Sequence, residues 1–201
     1  MLHSVSFKNN SLQTFKHTIM TKNISFIILV LLSQLVAKSQ TAPFNIHIEP
    51  MNITGLNGLQ AYAFGQHNGK WLLIGGRLDG LHRRQPFASF DIAGNNNQLF
   101  VVDPINQQTW TAPLNSLSIA LQEQLSSTNM EYHQDGNYLY IVGGYGYHTA
   151  SASRKTFENL TAVDVPNVIA AIISNNLISS YFRQINDVQF AVTGGHLKKL
   201  K

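Results

Sequence analysis

The chain of 201 residues is long enough for one or two ordinary domains, and its 44% hydrophobic and 12% charged residues exclude a disordered protein. The formal net charge of +4 does not indicate nucleic-acid binding, because four of the lysines lie in the first 39 residues, where there is no acidic residue. From Gln40 onwards ten basic residues are matched by ten acidic ones, so we expect no nucleic-acid partner.

The N-terminus has the three-part organisation of a secretory signal peptide. Lys16 and Lys22 precede a short apolar run, ISFIILVLLSQLVA at 24–37, and the small-x-small sequence Ala37-Lys38-Ser39 begins at its last residue. A membrane anchor is the alternative, but the run is shorter than the ~20 apolar residues of a spanning helix. We therefore predict a signal peptide over residues 1–39, with Met20 as an alternative start.

Cleavage before Gln40 predicts a secreted, periplasmic or cell-surface protein with no stable membrane span. The chain has no cysteine, so it has neither a disulfide framework nor a cysteine for lipid attachment. Export without disulfides is compatible with a bacterial envelope or medium.

After a lead-in over residues 40–56, a double glycine recurs. It ends three strand-like segments, which are GKWLLIGG at 69–76, GNYLYIVGG at 136–144 and DVQFAVTGG at 187–195. Each begins at a polar two-residue turn, and another strand-like segment precedes each turn, at 59–66, 128–134 and 180–185. Strand, turn and strand in this order predict a β-hairpin, so three copies predict an internal repeat.

A second pair of strands follows the first hairpin. Residues 97–112, NQLFVVDPINQQTWTA, predict a strand, a turn at Asp103-Pro104 and a strand that carries Trp110. Residues 159–168, NLTAVDVPNV, repeat the first half of this pattern. Each complete unit is therefore expected to have four strands.

Two insertions interrupt the repeat. Residues 113–128 have the apolar spacing of a short amphipathic helix. In the second unit, residues 166–174 take the place of the fourth strand. They fit a helix that begins near Pro166 as well as they fit irregular structure.

The double glycine, the strand with an aspartate and the tryptophan resemble kelch repeats, and the chain is similar to secreted kelch-like proteins of Bacteroidetes-type bacteria. The resemblance covers about residues 57–195. It implies an all-β fold, a partial kelch-type β-propeller over 57–201. Two four-stranded blades and the opening hairpin of a third are expected, with one or two short helical insertions.

Kelch propellers close with about five to seven blades. Further blades are therefore expected from sequence beyond this chain. A truncated gene fragment without independent function is the alternative.

We interpret the repeated glycines as structural, because glycine permits close approach of backbones at strand ends. A phosphate-binding loop would need a following Lys-Ser/Thr or a third spaced glycine. No such sequence follows Gly76 or Gly144. The structural glycines are Gly75 and Gly76, Gly143 and Gly144, and Gly194 and Gly195.

The candidate ligand-binding residues lie in the two segments that follow the double glycines. The first segment, 77–96, contains His82, Arg83 and Arg84. The second segment, 145–155, contains Tyr145, Tyr147, His148 and Arg154. Both leave the same strand position, so we expect both loops at one face. Arginine and tyrosine are typical anchors of protein or carbohydrate contacts, although exposed loops are also polar without any binding role.

The sequence indicates no catalytic residue, metal site or cofactor. The histidines lack the spacing of metal ligands, and no nucleophile turn is present. The resulting hypothesis is a non-catalytic binding or structural module with a protein or glycan partner. The kelch resemblance also implies an alternative, a sugar-modifying enzyme such as a sialic acid mutarotase.

Overall fold

The computed structural model describes residues 44–80 and 89–200. The chain divides into two compact units, Met1–Glu49 and Pro50–Lys201. In the first unit the described residues, 44–49, are exposed, and His47 Nε2 lies 3.0 Å from Glu49 Oε1. The predicted signal peptide, 1–39, lies outside the described residues.

The second unit is mostly β-structure and contains two antiparallel four-stranded sheets. The first sheet has the order β1-β2-β3-β4. Its strands are β1 (Ala63–His67), β2 (Lys70–Ile74), β3 (Gln98–Asp103) and β4 (Gln108–Pro113). Asn68 and Gly69, with φ of 48° and 73°, make the two-residue turn of the first hairpin, as their sequence predicts.

The second sheet has the order β10-β9-β6-β5. Its strands are β5 (Glu131–Asp135), β6 (Tyr138–Val142), β9 (Asn159–Asp164) and β10 (Phe182–Asn186). Between β6 and β9 the chain forms a separate hairpin of β7 (Tyr145–His148) and β8 (Ser153–Thr156). The predicted loop 145–155 is therefore largely a β-hairpin.

Two α-helices form where the insertions were predicted. The first, α1 (Ile119–Leu125), begins after Ser118, whose hydroxyl accepts a hydrogen bond from Leu121 N. The second, α2 (Val165–Ile173), begins after Asp164, whose carboxylate accepts from Asn167 N, and Pro166 lies in its first turn. Neither helix of the described chain is long and apolar enough to cross a membrane.

The predicted opening hairpin of a third unit does not form. The strand expected to begin it, β10, pairs with β9 and completes the second sheet, so the second unit has its fourth strand after α2. Residues 187–195 form no strand, because Asp187 caps a single 3-10 turn at Val188–Phe190 by accepting a hydrogen bond from Gln189 N. Gly194 and Gly195 therefore do not end a strand.

The core lies between the two sheets and α2. From the first sheet it contains alternate residues of β2 and β3, and from the second sheet alternate residues of β6 and the buried Val163 of β9. One face of α2 completes it with Val165, Val168, Ile169, Ala171 and Ile172. The opposite face of the first sheet packs against a smaller apolar cluster that includes Ile53, Leu56 and Leu59.

The two sheets use opposite faces to form this core. Leu72 and Ile74 lie three residues and one residue before the first glycine of their pair. Tyr140 and Val142 have the same positions in the second sheet. The core contains Leu72 and Ile74 of the first sheet, but Leu139 and Ile141 of the second. Equivalent faces of the two sheets therefore point the same way, and the sheets stack front to back.

The glycines after β6 lie where the backbone approaches other segments closely. Gly143 and Gly144 have φ of 64° and 96°, and their N–H groups donate to Asn159 O and Val192 O, both at 2.9 Å. A Cβ on Gly143 would overlap the backbone oxygen of Val192. Gly75 and Gly76 also have positive φ, 68° and 82°, in the same place after β2. Glycine is therefore required sterically directly after β2 and directly after β6.

Asp103 at the end of β3 organises the turn into β4. Its carboxylate accepts hydrogen bonds from the backbone N–H and side-chain amide of Asn106, both at 2.9 Å, and Lys70 Nζ lies 3.1 Å away. The hydrogen bonds from Asn106, with a smaller contribution from Lys70, lower the pKa of Asp103 from 3.8 to about 2. Asp164, the corresponding aspartate at the end of β9, instead accepts a hydrogen bond from Asn167 N at the start of α2.

This lowered pKa predicts an acid-dependent loss of stability. Because the folded pKa lies below the unfolded one, the ionised carboxylate stabilises the fold fully above about pH 4, and the contribution disappears as the pH falls to about 2. The variant Asp103→Asn should be less stable at neutral pH and show a smaller change across this window. Urea unfolding at several pH values measures the difference, and parallel profiles for the two proteins would contradict it.

Candidate functional site

The hairpin β7–β8 holds most of the described candidate ligand-binding residues, on two opposite faces. Successive side chains of a strand point to opposite sides, and the register pairs Tyr147 with Arg154 and Gly146 with Lys155. Tyr145, Tyr147 and Arg154 therefore share one face of the hairpin, whereas His148 and Lys155 share the other. The predicted site is divided by the strand geometry into two environments.

On the first face, two of the predicted residues attach the hairpin to the segment after β2. The rings of Tyr145 and Phe90 form an edge-to-face contact with their centroids 5.1 Å apart. Arg154 donates a hydrogen bond from Nη2 to the backbone oxygen of Phe90. The two segments predicted to emerge together are thus in contact, and Tyr145 and Arg154 make that contact.

Tyr147 lines a cleft of about 410 Å³, called here the tyrosine cleft. It lies among α1, the hairpin and the turns before β3 and after β4. Its polar lining consists mainly of amide and carboxylate side chains, Asn95, Asn97, Asn115, Gln122 and Glu123. Asn97 and Asn115 are exposed, so their amides are open to a ligand in the cleft. The tyrosine cleft therefore combines one aromatic ring with several hydrogen-bonding groups.

His148 lines a second cleft of about 300 Å³ on the other face, called here the histidine cleft. Its polar lining includes Glu123, Lys155, Asn159, Gln184 and Asn186. Glu123 belongs to both clefts, so it forms part of the boundary between them.

Glu123 also fixes the hairpin to α1. Its Oε1 accepts a hydrogen bond from the backbone N–H of Thr149 at 2.7 Å, and its Oε2 lies 4.0 Å from His148 Nε2. His148 Nδ1 lies 2.8 Å from the hydroxyl of Ser151 in the hairpin turn. The Glu123 side chain is only 12% exposed, and the contacts with Thr149 and His148 fix the position of its carboxylate.

Arg77 is a buried residue of this region that the sequence interpretation missed. Its guanidinium donates to both carboxylate oxygens of Asp79 at 2.9 and 2.5 Å, to Asn95 Oδ1 at 3.0 Å and to Asp91 O at 2.7 Å. It also lies 5.6 Å from the centre of the Phe90 ring. Arg77 thus orients Asn95 on the wall of the tyrosine cleft. The signal in sequence was an arginine directly after a double glycine, with an aspartate two residues later.

The remaining candidates, His82, Arg83 and Arg84, lie outside the described residues. Within residues 44–80 and 89–200, no three His, Asp or Glu side chains come together as metal ligands.

The chain matches no protein-family model, and a search of curated proteins gives no match. The two clefts are the candidate binding sites of the described residues.

Proposed function

We propose that this protein is an exported, non-catalytic carbohydrate-binding module built on kelch-type propeller blades. The tyrosine cleft is its binding site, and the observation that carries the proposal is the position of Tyr147 among amide and carboxylate groups. Export rests on the signal-peptide pattern of residues 1–39.

The order of strands supports the blade interpretation. Each four-stranded sheet is a simple antiparallel meander, as in a propeller blade. Both sheets have a long excursion between the second and third strands, directly after a double glycine, and these two excursions contact each other.

The front-to-back stacking also supports it. When equivalent faces of two units point the same way, a further unit can be added in the same manner. The outward face of the second sheet has exposed apolar side chains, with Tyr138 47% and Ile185 59% exposed. We propose that a further four-stranded sheet covers this face in the complete protein.

Carbohydrate suits the tyrosine cleft because of its mixture of groups. A tyrosine ring offers an apolar surface to the C–H face of a sugar and a hydroxyl at its edge. Asn97 and Asn115, which are exposed, offer donors and acceptors for sugar hydroxyls. A few polar groups placed around an apolar surface are typical of small-ligand sites.

Removal of the Tyr147 ring tests this proposal. A glycan array first identifies the oligosaccharides that bind, and calorimetry then measures the best of them. Tyr147→Ala should weaken its binding about tenfold, which corresponds to ~1.4 kcal/mol. Tyr147→Phe should retain most of the affinity if the ring itself supports the sugar.

Tyr138→Ala is the matched control, because Tyr138 is another tyrosine on a strand, 47% exposed, and it lines neither cleft. It should leave the affinity unchanged. Equal losses in both alanine variants, or no glycan bound by the wild type, would overturn the binding site. Turnover of the bound sugar, followed by nuclear magnetic resonance, would overturn the non-catalytic part of the proposal.

A further inference from the structure

Lys155 is the cation of the histidine cleft. It is half-buried in β8, and its partner across the ladder is Gly146, which contributes no side chain. Within the described part of the chain Lys155 has no ion pair. A half-buried ammonium beside a cleft of about 300 Å³ has a preference for an anionic group there.

The carboxylate that shares this cleft is engaged elsewhere. Glu123 accepts a hydrogen bond from Thr149 N at 2.7 Å, and its other oxygen faces His148 Nε2 at 4.0 Å. No oxygen of Glu123 lies within 4.0 Å of Lys155 Nζ in the described structure. The hairpin thus uses Glu123 for its own attachment and leaves the lysine charge available.

Two amide side chains on β10 supply acceptors in the same cleft. Gln184 donates its amide protons to Gln124 Oε1 at 2.9 Å and to Thr161 Oγ1 at 3.2 Å, and Asn186 donates to Glu158 O at 2.8 Å. Within residues 44–80 and 89–200, neither side-chain oxygen accepts a hydrogen bond. They remain as acceptors for the hydroxyl groups of a ligand.

We propose that the histidine cleft binds the carboxylate-bearing unit of an acidic oligosaccharide, with Lys155 as the ion-pair partner. The hydroxyls of that unit donate to Gln184 and Asn186, and the adjoining sugar extends past Glu123 into the tyrosine cleft. This inference rests on the proposed carbohydrate-binding function and names the class of sugar.

A carboxylate ligand and its neutral ester separate the two proposals. The probes are tetragalacturonate and its methyl ester, measured by calorimetry against the wild type, Lys155→Gln and Lys198→Gln. Lys198→Gln is the matched control, because it removes the same charge from an exposed lysine outside both clefts. Charge-assisted hydrogen bonds contribute more than neutral ones.

We expect the wild type and Lys198→Gln to bind the acid about tenfold more tightly than the ester, a difference of ~1.4 kcal/mol. Lys155→Gln should bind both equally, with an unchanged affinity for the ester. Raising the salt concentration should weaken binding of the acid and leave that of the ester unchanged.

Equal binding of acid and ester by the wild type overturns this inference and leaves the proposed function in place. Binding of neither also overturns this inference, whereas the proposed function is overturned only if the glycan array shows no bound oligosaccharide. Competition by tetraglutamate as strong as that by tetragalacturonate overturns the assignment to a sugar, because a carboxylate on any chain would then suffice.

Discussion

Replacing Gln124 by alanine is expected to lower the free energy of unfolding by about 3 kcal/mol. Gln124 is fully buried in α1, and its amide lies beside the end of β6 and the start of β9. Its Nε2 donates to Asn159 O at 2.9 Å, with longer contacts to Gly143 O at 3.3 Å and Ile141 O at 3.4 Å. Its Oε1 accepts from Thr161 Oγ1 at 2.6 Å and Gln184 Nε2 at 2.9 Å.

Alanine removes both donor and acceptor from a site that water does not reach. The hydroxyl of Thr161, which is fully buried, then loses its acceptor, and a cavity replaces the amide. Gln124→Glu should cost at least as much, because a carboxylate oxygen would then face carbonyl oxygens where the amide now donates. The pair of variants distinguishes lost hydrogen bonds from lost volume.

Gln122→Ala is the matched control, since it changes the same residue type two positions away in the same helix. Gln122 is half-buried, and among the described residues its side chain donates one hydrogen bond, to Leu117 O at 2.7 Å. Its loss should cost less than about 1 kcal/mol. Urea unfolding measures all three variants, and equal costs for Gln122→Ala and Gln124→Ala would contradict this role.

The function of Gln124 also bears on the two clefts. Its neighbour Glu123 forms their common boundary, and α1 is fixed to the second sheet through Gln124. Gln124→Ala should therefore weaken glycan binding at temperatures where the chain is still folded. A buried glutamine in an amphipathic helix was not predictable from apolar spacing, which treats it as a polar surface residue.

Local turn chemistry allowed the strands of both sheets and their hairpin pairings to be predicted, but not the pairing of β10 with β9. The sequences Asn68-Gly69 and Asp135-Gly136 favour tight hairpins, and hairpins form at both. A hairpin was also predicted at the similar polar pair Asn186-Asp187, and this prediction was wrong, because Asp187 caps a 3-10 turn instead. Whether β10 begins a new sheet or completes an old one depends on distant contacts with β9, which no local pattern encodes.

The hairpin that forms the candidate site was predicted as a loop for a related reason. Its turn, Thr149 to Ala152, contains neither glycine nor proline, and Ala152 adopts φ of 47° without a residue that favours it. The strands on each side are short and partly exposed, so they lack clear alternation. Sequence therefore predicted Tyr145, Tyr147, His148 and Arg154 as one group, whereas the pairing of β7 and β8 separates them into two faces.

Replacing Arg77 by alanine is expected to destabilise the protein by about 3 kcal/mol and to loosen the wall of the tyrosine cleft. Arg77 is 3% exposed, and its guanidinium makes four hydrogen bonds to the described residues Asp79, Asp91 and Asn95. Without the cation, the carboxylate of Asp79 can still be hydrated because its side chain is 34% exposed. The destabilisation therefore comes mainly from the loss of the hydrogen bonds that hold Asp91 and Asn95, and not from an unpaired buried charge on Asp79.

The variant Arg77→Lys should recover only part of the stability. Lysine keeps the positive charge but replaces a planar group with several fixed donors by a single ammonium, which cannot serve all of these acceptors at once. Arg154→Ala is the matched control, since Arg154 is exposed and its contact with this region is the hydrogen bond to Phe90 O. It should cost well under 1 kcal/mol, as most surface substitutions do.

Hydrogen exchange locates the effect. The amides of Gly94, Asn95 and Asn96 donate to Asp91 O, Ile92 O and Gly76 O within the segment that Arg77 holds. Their protection should fall in Arg77→Ala by more than that of β3, which remains paired on both sides. A uniform loss of protection across the first sheet would show that Arg77 supports the whole sheet and not the wall of the cleft. Glycan affinity should fall with the local protection, because Asn95 and Asn97 line the same cleft.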